Sequence, residues 1–230
     1  MRNVADYFKE NDLIINLKKG KTECMLLGTA KRLSMNSKQI EVYYNNTKIN
    51  NTTTYTYLGT IIDHHLNLGE NFDDKVRKAS RKLHLLKRLR SLMTQYAAIT
   101  VYKCVILPAL KYNCITHLNM TKTQKSCLKR LENRAEIILG SKVDSIEKEF
   151  HNHSNKLIKK CISGDVCNDF KSYFTLNTHS MNTRNRNFIL TVPKVKLEIA
   201  RSGFFFMGVR LFNFLPLEFR NSELDFTNNC

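Results

Sequence analysis

One stretch of the chain, Phe72–Met93, constrains the fold more than any other. Its apolar side chains recur at steps of four and three residues, which is the spacing of one face of an α-helix. The core-facing positions are Phe72, Val76, Ala79, Leu83 and Leu86. Two acids, Asp73 and Asp74, suit the first turn of a helix, and the basic residues at its end suit the last. The pattern therefore predicts a long helix that starts near Phe72 and packs on one side only.

The remaining positions of this predicted helix are strongly basic. The cations off the apolar stripe are Lys75, Arg77, Lys78, Arg81, Lys82, Lys87, Arg88 and Arg90. Asp73 and Asp74 are the only acids between Asp73 and Met93, whereas a solvated helix face normally mixes both signs. We expect these cations to project outward and contact a nucleic-acid backbone. A merely solvated face is the alternative interpretation.

The whole chain is basic, with 37 Lys and Arg against 20 Asp and Glu and a net charge of +17 in 230 residues. Residues 64–140 alone hold 15 of the basic side chains and 5 of the acidic ones. Such an excess favours nucleic acid or another anionic surface as partner. There is neither a signal peptide nor an apolar run of roughly 18 residues. We therefore expect an intracellular protein with reduced cysteines and no membrane partner.

Short strand-like runs precede the basic helix. A helix over Met1–Leu13 comes first, and a polar loop over Thr29–Lys38 interrupts the strands. The predicted strands are Glu23–Gly28, Ile40–Tyr44, Thr47–Ile49 and Thr53–Asp63, with Ile14–Leu17 as a further candidate. Asn45-Asn46 tolerates left-handed backbone angles and closes a hairpin. These patterns predict the α+β class, with a small antiparallel sheet of about four strands ahead of the helices.

The rest of the chain is predicted to be helical and to become irregular towards its end. The predicted helices are Gln95–Leu118 with a kink or break near Leu107 caused by Pro108, Thr121–Leu139 with Gly140 as C-cap, Asn155–Ile162 and Asp165–Tyr173. Asn177–Asn187 is predicted to be a polar loop, and the aromatic run Gly203–Leu215 either stacks nucleic-acid bases or, as its helical spacing favours, forms core. Three domains are predicted: a small sheet with its helix over 1–66, a basic helical domain over 67–140, and a tail over 141–230.

Several motifs in this order resemble the reverse transcriptase of non-LTR (LINE-type, jockey-like) retrotransposons. Asn11–Asn16 leading into Lys21–Met25 resembles palm motif D, and Tyr57-Leu58-Gly59 resembles motif E, the primer grip. Tyr102–Gly140 is similar to the thumb helices, through Leu107-Pro108 and Leu131-Glu132-Asn133-Arg134-Ala135. Thr183-Arg184-Asn185 and the run from Gly208 to Leu215-Pro216 resemble the region after the thumb. The resemblance implies the end of a polymerase palm followed by a helical thumb.

The resemblance also implies roles for individual residues. Lys18, Lys19 and Lys21 match the region of motif D that lies near the incoming nucleotide, although a solvated basic turn is the alternative. Tyr57, Leu58 and Gly59 match the element that holds the primer end, although a buried strand with a bulge explains them equally well. The expected partner is an RNA template or an RNA–DNA hybrid, together with an N-terminal polymerase portion.

The carboxylates that bind metal in this family lie upstream of motif D, in an aromatic-x-Asp-Asp turn and an earlier Asp. The one Asp-Asp pair here is Asp73-Asp74, and Asn71 occupies the position that the motif requires to be aromatic. We interpret Phe72-Asp73-Asp74 as a helix start with a core Phe. Two-metal phosphoryl transfer needs carboxylates that hold both ions about 4 Å apart. We therefore expect no catalytic residue and no metal site in this chain, with Mg²⁺ required only by the complete polymerase.

The sequence thus predicts a palm-and-thumb part of a retrotransposon RNA-directed DNA polymerase that binds template–primer duplex and is inactive alone. The alternative is a non-enzymatic basic helical module, derived from such an element, that binds RNA or a protein.

Overall fold

The structure, a computed structural model, describes residues 2–35, 41–166, 168–176 and 190–216. The predicted loop Asn177–Asn187 and the segment Thr183–Asn185 lie outside these residues. The chain divides into two compact units, Met1–Asn71 and Phe72–Cys230. Helices and short strands are both present, so the α+β class expected from the sequence is confirmed.

The first unit is built mainly from very short strands. Its elements are α1 (Arg2–Glu10), β1 (Glu23–Cys24), α2 (Ala30–Met35), β2 (Tyr43–Tyr44), β3 (Thr47–Lys48), β4 (Asn50–Asn51), β5 (Thr54–Tyr57) and β6 (Thr60–Asp63). The long helix α3 (Gly69–Leu89) begins at the end of this unit and continues into the second one.

The regular elements among the described residues of the second unit are helices, and one isolated antiparallel bridge joins Leu176 to Leu190. A 3₁₀ turn (Arg90–Leu92) follows α3. The next segments are α4 (Gln95–Val101), a π-helical segment (Tyr102–Ile106), α5 (Leu107–Lys111), a 3₁₀ turn (Cys114–His117) and α6 (Lys122–Leu139). The last helices are α7 (Ile146–Ser163), α8 (Asn168–Lys171), α9 (Glu198–Ser202) and α10 (Phe204–Asn213).

The described strands form three separate pairs, so the prediction of one antiparallel sheet of about four strands is wrong in its detail. β2–β3 and β5–β6 are antiparallel, whereas β1 pairs with β4 in parallel. The predicted long strand Thr53–Asp63 is a hairpin, because Leu58 and Gly59 both take positive φ and reverse the chain. The predicted Asn45-Asn46 hairpin is confirmed, since both residues have positive φ between β2 and β3.

Two further predictions in the first unit are wrong. Ile14–Leu17 forms no strand, and Ile14 is 93% exposed because no neighbouring strand covers it. The predicted loop Thr29–Lys38 contains the helix α2, whose first turn is capped by the Thr29 hydroxyl accepting the Arg32 amide at 3.4 Å. Threonine is a preferred N-cap residue, so Thr29 was the sequence signal for the start of this helix. Residues 36–38 of that loop lie outside the described part.

The core of the second unit follows the predicted helix faces. Phe72, Ala79, Leu83 and Leu86 of α3 are each at most 2% exposed, and they pack with α4, α6 and the first turns of α7. The predicted ends of α6 are confirmed. Thr121 forms a capping box with Gln124, and Gly140 takes a left-handed conformation after Leu139.

The helical stretch with the predicted kink or break at Pro108 runs without a gap from Gln95 to Lys111, and its α-helical pattern is interrupted by a π-helical segment. Proline lacks an amide hydrogen and its ring clashes with the preceding turn. The backbone widens into the π segment just before it, where the Leu107 amide bonds the Tyr102 carbonyl. A left-handed residue, Asn113, then ends the stretch and starts the 3₁₀ turn.

Helix α7 begins at Ile146, nine residues before the predicted start at Asn155. The Ser145 side chain makes no capping bond; instead the buried Glu132 carboxylate of α6 accepts the Ile146 amide at 2.7 Å. This long-range cap has no local sequence signal, which explains why the start of α7 was missed. Through α7 the first core connects to a second one around Ile158, Val209 and Phe212.

Tyr102 provides a test of this packing. Its hydroxyl is buried and finds no hydrogen-bond partner within the described residues, and burial raises its pKa to about 12. A buried hydroxyl without a partner costs free energy that an apolar isostere avoids. We expect Tyr102→Phe to raise the free energy of unfolding by about 1 kcal/mol, measured by urea denaturation. A decrease of similar size would show that this hydroxyl has a partner in the folded protein.

Candidate nucleic-acid interface

The candidate site is the exposed face of α3, and its position follows from the buried face. Because α3 buries Phe72, Ala79, Leu83 and Leu86, residues about half a turn away must point to solvent. Arg77, Arg81, His84 and Arg88 occupy those positions at steps of four, three and four, and all four are exposed. We call Arg77, Arg81 and Arg88 the arginine stripe. It extends over about 16 Å of helix axis, at 1.5 Å per residue.

The arginine stripe is electrostatically unbalanced. No hydrogen bond or ion pair reaches its three guanidinium groups from any residue that the structure describes. Arg77 and Arg81 are i,i+4 neighbours, and like charges at this spacing repel by a few tenths of a kcal/mol. The stripe therefore presents planar, permanently charged donors that an anion would stabilise.

Three lysines beside the stripe remain at the surface. The Lys78 ammonium pairs with the Asp74 carboxylate at 2.7 Å, an i,i+4 pair that partly neutralises it. The Lys82 ammonium donates to the Val105 carbonyl at 3.2 Å, while the side chain stays exposed. Lys87 is exposed near the end of α3. These lysines enlarge the basic surface around the arginine stripe.

Lys75 corrects the expectation that this set of cations faces outward. It is only 7% exposed, and its ammonium donates to the Tyr112 carbonyl at 2.5 Å, with a longer contact to Asn113. Position 75 lies one turn before Ala79, at the edge of the buried stripe. Its side chain therefore reaches the backbone carbonyls that follow the end of α5. Burial lowers the pKa of Lys75 to about 8.

Arg90 is likewise used inside the protein. It is half-buried, with Nε donating to the Ile138 carbonyl at 3.0 Å and Nη1 to the Met93 carbonyl at 2.9 Å. Cations near the C-terminal end of a helix satisfy carbonyls that lack intrahelical partners. Lys75 and Arg90 are therefore structural, and six of the eight predicted cations remain on the surface.

His84 was missed by sequence reasoning. The prediction selected Lys and Arg by charge, whereas the spacing places this imidazole between Arg81 and Arg88 on the exposed face. A search by helical position rather than by residue type would have found it.

The predicted primer-grip residues form the tip of the β5–β6 hairpin. Tyr57 is 60% and Leu58 is 73% exposed, which excludes the alternative of a buried strand with a bulge. Leu58 has φ of 46° and Gly59 has φ of 75°. A left-handed backbone is ordinary for Gly and uncommon for Leu.

The predicted motif D lysines lie on a tight turn. The Lys21 amide donates to the Lys18 carbonyl at 3.1 Å, and Gly20 has φ of 81°. Lys18, Lys19 and Lys21 are all exposed. This geometry fits a solvated turn and equally leaves the three ammonium groups accessible to an anion.

The Phe72-Asp73-Asp74 segment is not a helix start, since α3 begins at Gly69 and places it in the first two turns. Phe72 is a core residue, as predicted. Asp74 pairs with Lys78 rather than with another carboxylate. Within the described residues, no three His, Cys, Asp or Glu side chains gather where a metal ion could bind.

The aromatic run at the end of the chain contributes mainly to core. Phe212 is fully buried, and Phe204 and Phe205 pack against the second core. Phe206 lies under the Arg210 guanidinium, 5.7 Å from its ring centre, and Phe214 is 70% exposed. Helical spacing thus predicted the role of most of this run.

Comparisons with protein-family models, curated proteins and solved structures find no match for this chain. In the described part of the chain, every helix is too short or too polar to cross a membrane.

Lys75 gives a test based on pH. Its folded pKa of about 8 lies below the ordinary lysine value of 10.5. From pH 8 upward the unfolded chain therefore holds a proton that the folded chain releases, and stability rises with pH. We expect a gain of about 1 kcal/mol between pH 8 and 9 that is absent in Lys75→Met, measured by urea denaturation at each pH.

The parent must be compared with the variant because a second group also titrates. Burial raises the pKa of the Cys114 thiol from 9 to about 11, so this thiol lowers the stability of the folded protein as the pH rises above 9. The absolute stability of Lys75→Met does not matter, since only the change with pH is compared. Equal changes in parent and variant would contradict a deprotonating Lys75.

Proposed function

We propose that the exposed face of α3 binds the phosphate backbone of a template–primer duplex, as part of the palm-and-thumb portion of a non-LTR retrotransposon reverse transcriptase. The observation that carries the proposal is the arginine stripe: three exposed guanidinium groups in line along one helix, without a neutralising partner in the described structure. Nothing in the packing of α3 requires cations at these positions, since its opposite face makes the core contacts.

The chemistry of the stripe suits phosphate. A guanidinium group presents donors in a planar fork that can bind two phosphate oxygens at once. Contacts of this kind position a duplex and release its counterions, and they carry no sequence information. The expected ligand is therefore an RNA–DNA hybrid or structured RNA of any sequence.

The order of the polymerase-like motifs supports the assignment to this family. On this proposal, the hairpin tip of Tyr57, Leu58 and Gly59 contacts the primer end, and Lys18, Lys19 and Lys21 lie near the incoming nucleotide. The exposure of both sets is compatible with such contacts. The catalytic carboxylates and their Mg²⁺ belong to a further portion of the polymerase, with which this chain acts inside the cell.

A second candidate function is a protein-interaction module derived from such an element. It is favoured by three large apolar side chains at the surface of the helical unit: Leu92, Tyr96 and Ile137 are each more than 80% exposed. Hydrogen bonds from Arg90 to Ile138 and from Gln95 to Leu139 hold these segments together. A protein partner seated there would bind with little dependence on salt, unlike a nucleic acid on α3.

The arginine stripe predicts a steep salt dependence. Each phosphate contact contributes roughly 0.9 to the slope of log affinity against log salt on B-form DNA, and a hybrid should behave similarly. We expect Arg77→Gln, Arg81→Gln and Arg88→Gln together to flatten this slope by about 2 to 3 units. Gln keeps helix propensity nearly level, so the fold should survive. Fluorescence anisotropy with an RNA–DNA hybrid at several salt concentrations gives the slope.

The matched control removes the same charge elsewhere. Lys122, Arg130 and Arg134 are exposed on α6, and their replacement by Gln lowers the net charge equally. The control should keep most of the parental slope. If both triple variants flatten it to the same extent, the stripe is not the interface. If neither does, the basic face of α3 is merely solvated.

The chain alone should not polymerise. Its only Asp-Asp pair is preceded by Asn71 where an aromatic residue is required, and Asp74 is held by Lys78. We expect no primer extension on an RNA template with Mg²⁺ and all four deoxynucleotides. Incorporation that disappears in Asp73→Ala would show that this pair binds metal.

A further inference from the structure

Two adjacent histidines in the first unit, His64 and His65, have no part in the proposed function. The pair directly follows Asp63, the last residue of β6, and both side chains are half-buried. The centroids of their imidazole rings lie 3.9 Å apart, and the ring planes are tilted by 38°. The first unit therefore holds two imidazoles against one another.

The backbone around this pair is fixed from several sides. The His64 amide donates to the Thr53 carbonyl at 2.9 Å, and the His64 carbonyl accepts the Gly28 amide at 3.0 Å. The Asp63 carboxylate accepts the His65 amide at 2.8 Å, together with two further amides of the turn that follows. The two rings therefore start from a backbone that hydrogen bonds hold in place.

The contacts of the ring nitrogens identify the tautomer of each histidine. Nδ1 of His64 lies 3.1 Å from the Thr53 carbonyl oxygen. Nδ1 of His65 lies 3.3 Å from the Gly28 carbonyl oxygen. A carbonyl oxygen only accepts, so both Nδ1 atoms carry the hydrogen, and each neutral ring has a free lone pair on Nε2. Among the described residues nothing donates to either Nε2.

This arrangement is the one that metal-binding histidines use. A histidine that binds an ion through one nitrogen usually donates its other N–H to a backbone carbonyl or a carboxylate, which fixes the ring. Zinc–imidazole bonds are about 2.0–2.1 Å long, so two nitrogens on one ion lie no more than about 4 Å apart. Rings stacked at 3.9 Å can direct both Nε2 lone pairs at one ion.

We propose that His64 and His65 bind one Zn²⁺ ion through their Nε2 atoms. Imidazole nitrogen suits zinc, whereas Mg²⁺ prefers oxygen ligands. The site is therefore unrelated to the metals of a polymerase and does not depend on the proposed function. No third His, Cys, Asp or Glu of the described residues joins the pair, so water fills the remaining coordination positions. A confirmed site would correct the sequence-based expectation of no metal site in this chain.

NMR of the untagged full chain with isotope-labelled histidine tests the proposal. The nitrogen chemical shifts report the tautomer and the metal bond of each imidazole separately. Without metal, we expect the hydrogen on Nδ1 in both His64 and His65. Titration with Zn²⁺ should then shift both Nε2 resonances together, over the same range of zinc concentration.

The variants His64→Asn and His65→Asn separate the metal bond from the structural hydrogen bond. The Asn amide can still donate to the carbonyl that Nδ1 contacts, but Asn has no atom at the position of Nε2. In either variant, we expect the zinc concentration that half-shifts the remaining imidazole to rise by about tenfold or more, because changes to the partners of metal ligands already cost about 10–100-fold. The control is His84→Gln with His153→Gln, which removes two exposed imidazoles from helices and should leave the pair's response unchanged.

Several results would overturn the proposal. One is a hydrogen on Nε2 of either ring in the metal-free parent, a measurement that needs no variant to fold. Others are an absence of zinc-induced shifts in the parent, a response of one imidazole that survives replacement of the other, and equal weakening by the control. The triple variant of the arginine stripe should bind zinc as the parent does, which separates this test from that of the proposed function.

Discussion

The burial of one face of α3 is the constraint on which the rest of this structure depends. Phe72, Ala79, Leu83 and Leu86 form a stripe that α4, α6 and α7 cover, so the rotation of α3 about its axis is set. Burying such side chains contributes about 1.5–3 kcal/mol for each large one, which far exceeds the repulsion among surface cations. The opposite face must then point to solvent. The exposure of the arginine stripe is therefore determined by the core contacts on the other side of α3.

The cations of α3 and its following turn divide into two kinds by what they touch. Lys75 and Arg90 donate to carbonyls left over at the ends of α5 and α6, and so join helices to one another. Within the described residues the guanidinium groups of the arginine stripe make no such contact, and a bound anion would relieve their mutual repulsion. Charge alone does not separate these roles. Separating the cations that bond carbonyls from the exposed ones defines the arginine stripe as the candidate binding surface.

The sequence predicts features that depend on local chemistry. Helical period predicted the core stripe of α3, Thr121 and Gly140 predicted the ends of α6, and Asn45-Asn46 predicted a hairpin. Features that depend on distant residues were missed. Lys75 is buried by carbonyls 37 and 38 positions away, and α7 begins where Glu132 caps it from another helix. The parallel pairing of β1 with β4 likewise joins segments that no local pattern relates.

Arginine footprinting shows directly whether the arginine stripe contacts a bound nucleic acid. Phenylglyoxal modifies exposed guanidinium groups, and mass spectrometry gives the rate at each arginine with and without a bound RNA–DNA hybrid. We expect the hybrid to slow modification of Arg77, Arg81 and Arg88, while Arg130 and Arg134 on α6 react at unchanged rates. Unchanged rates at the arginine stripe in a sample shown by anisotropy to be saturated with hybrid would contradict it.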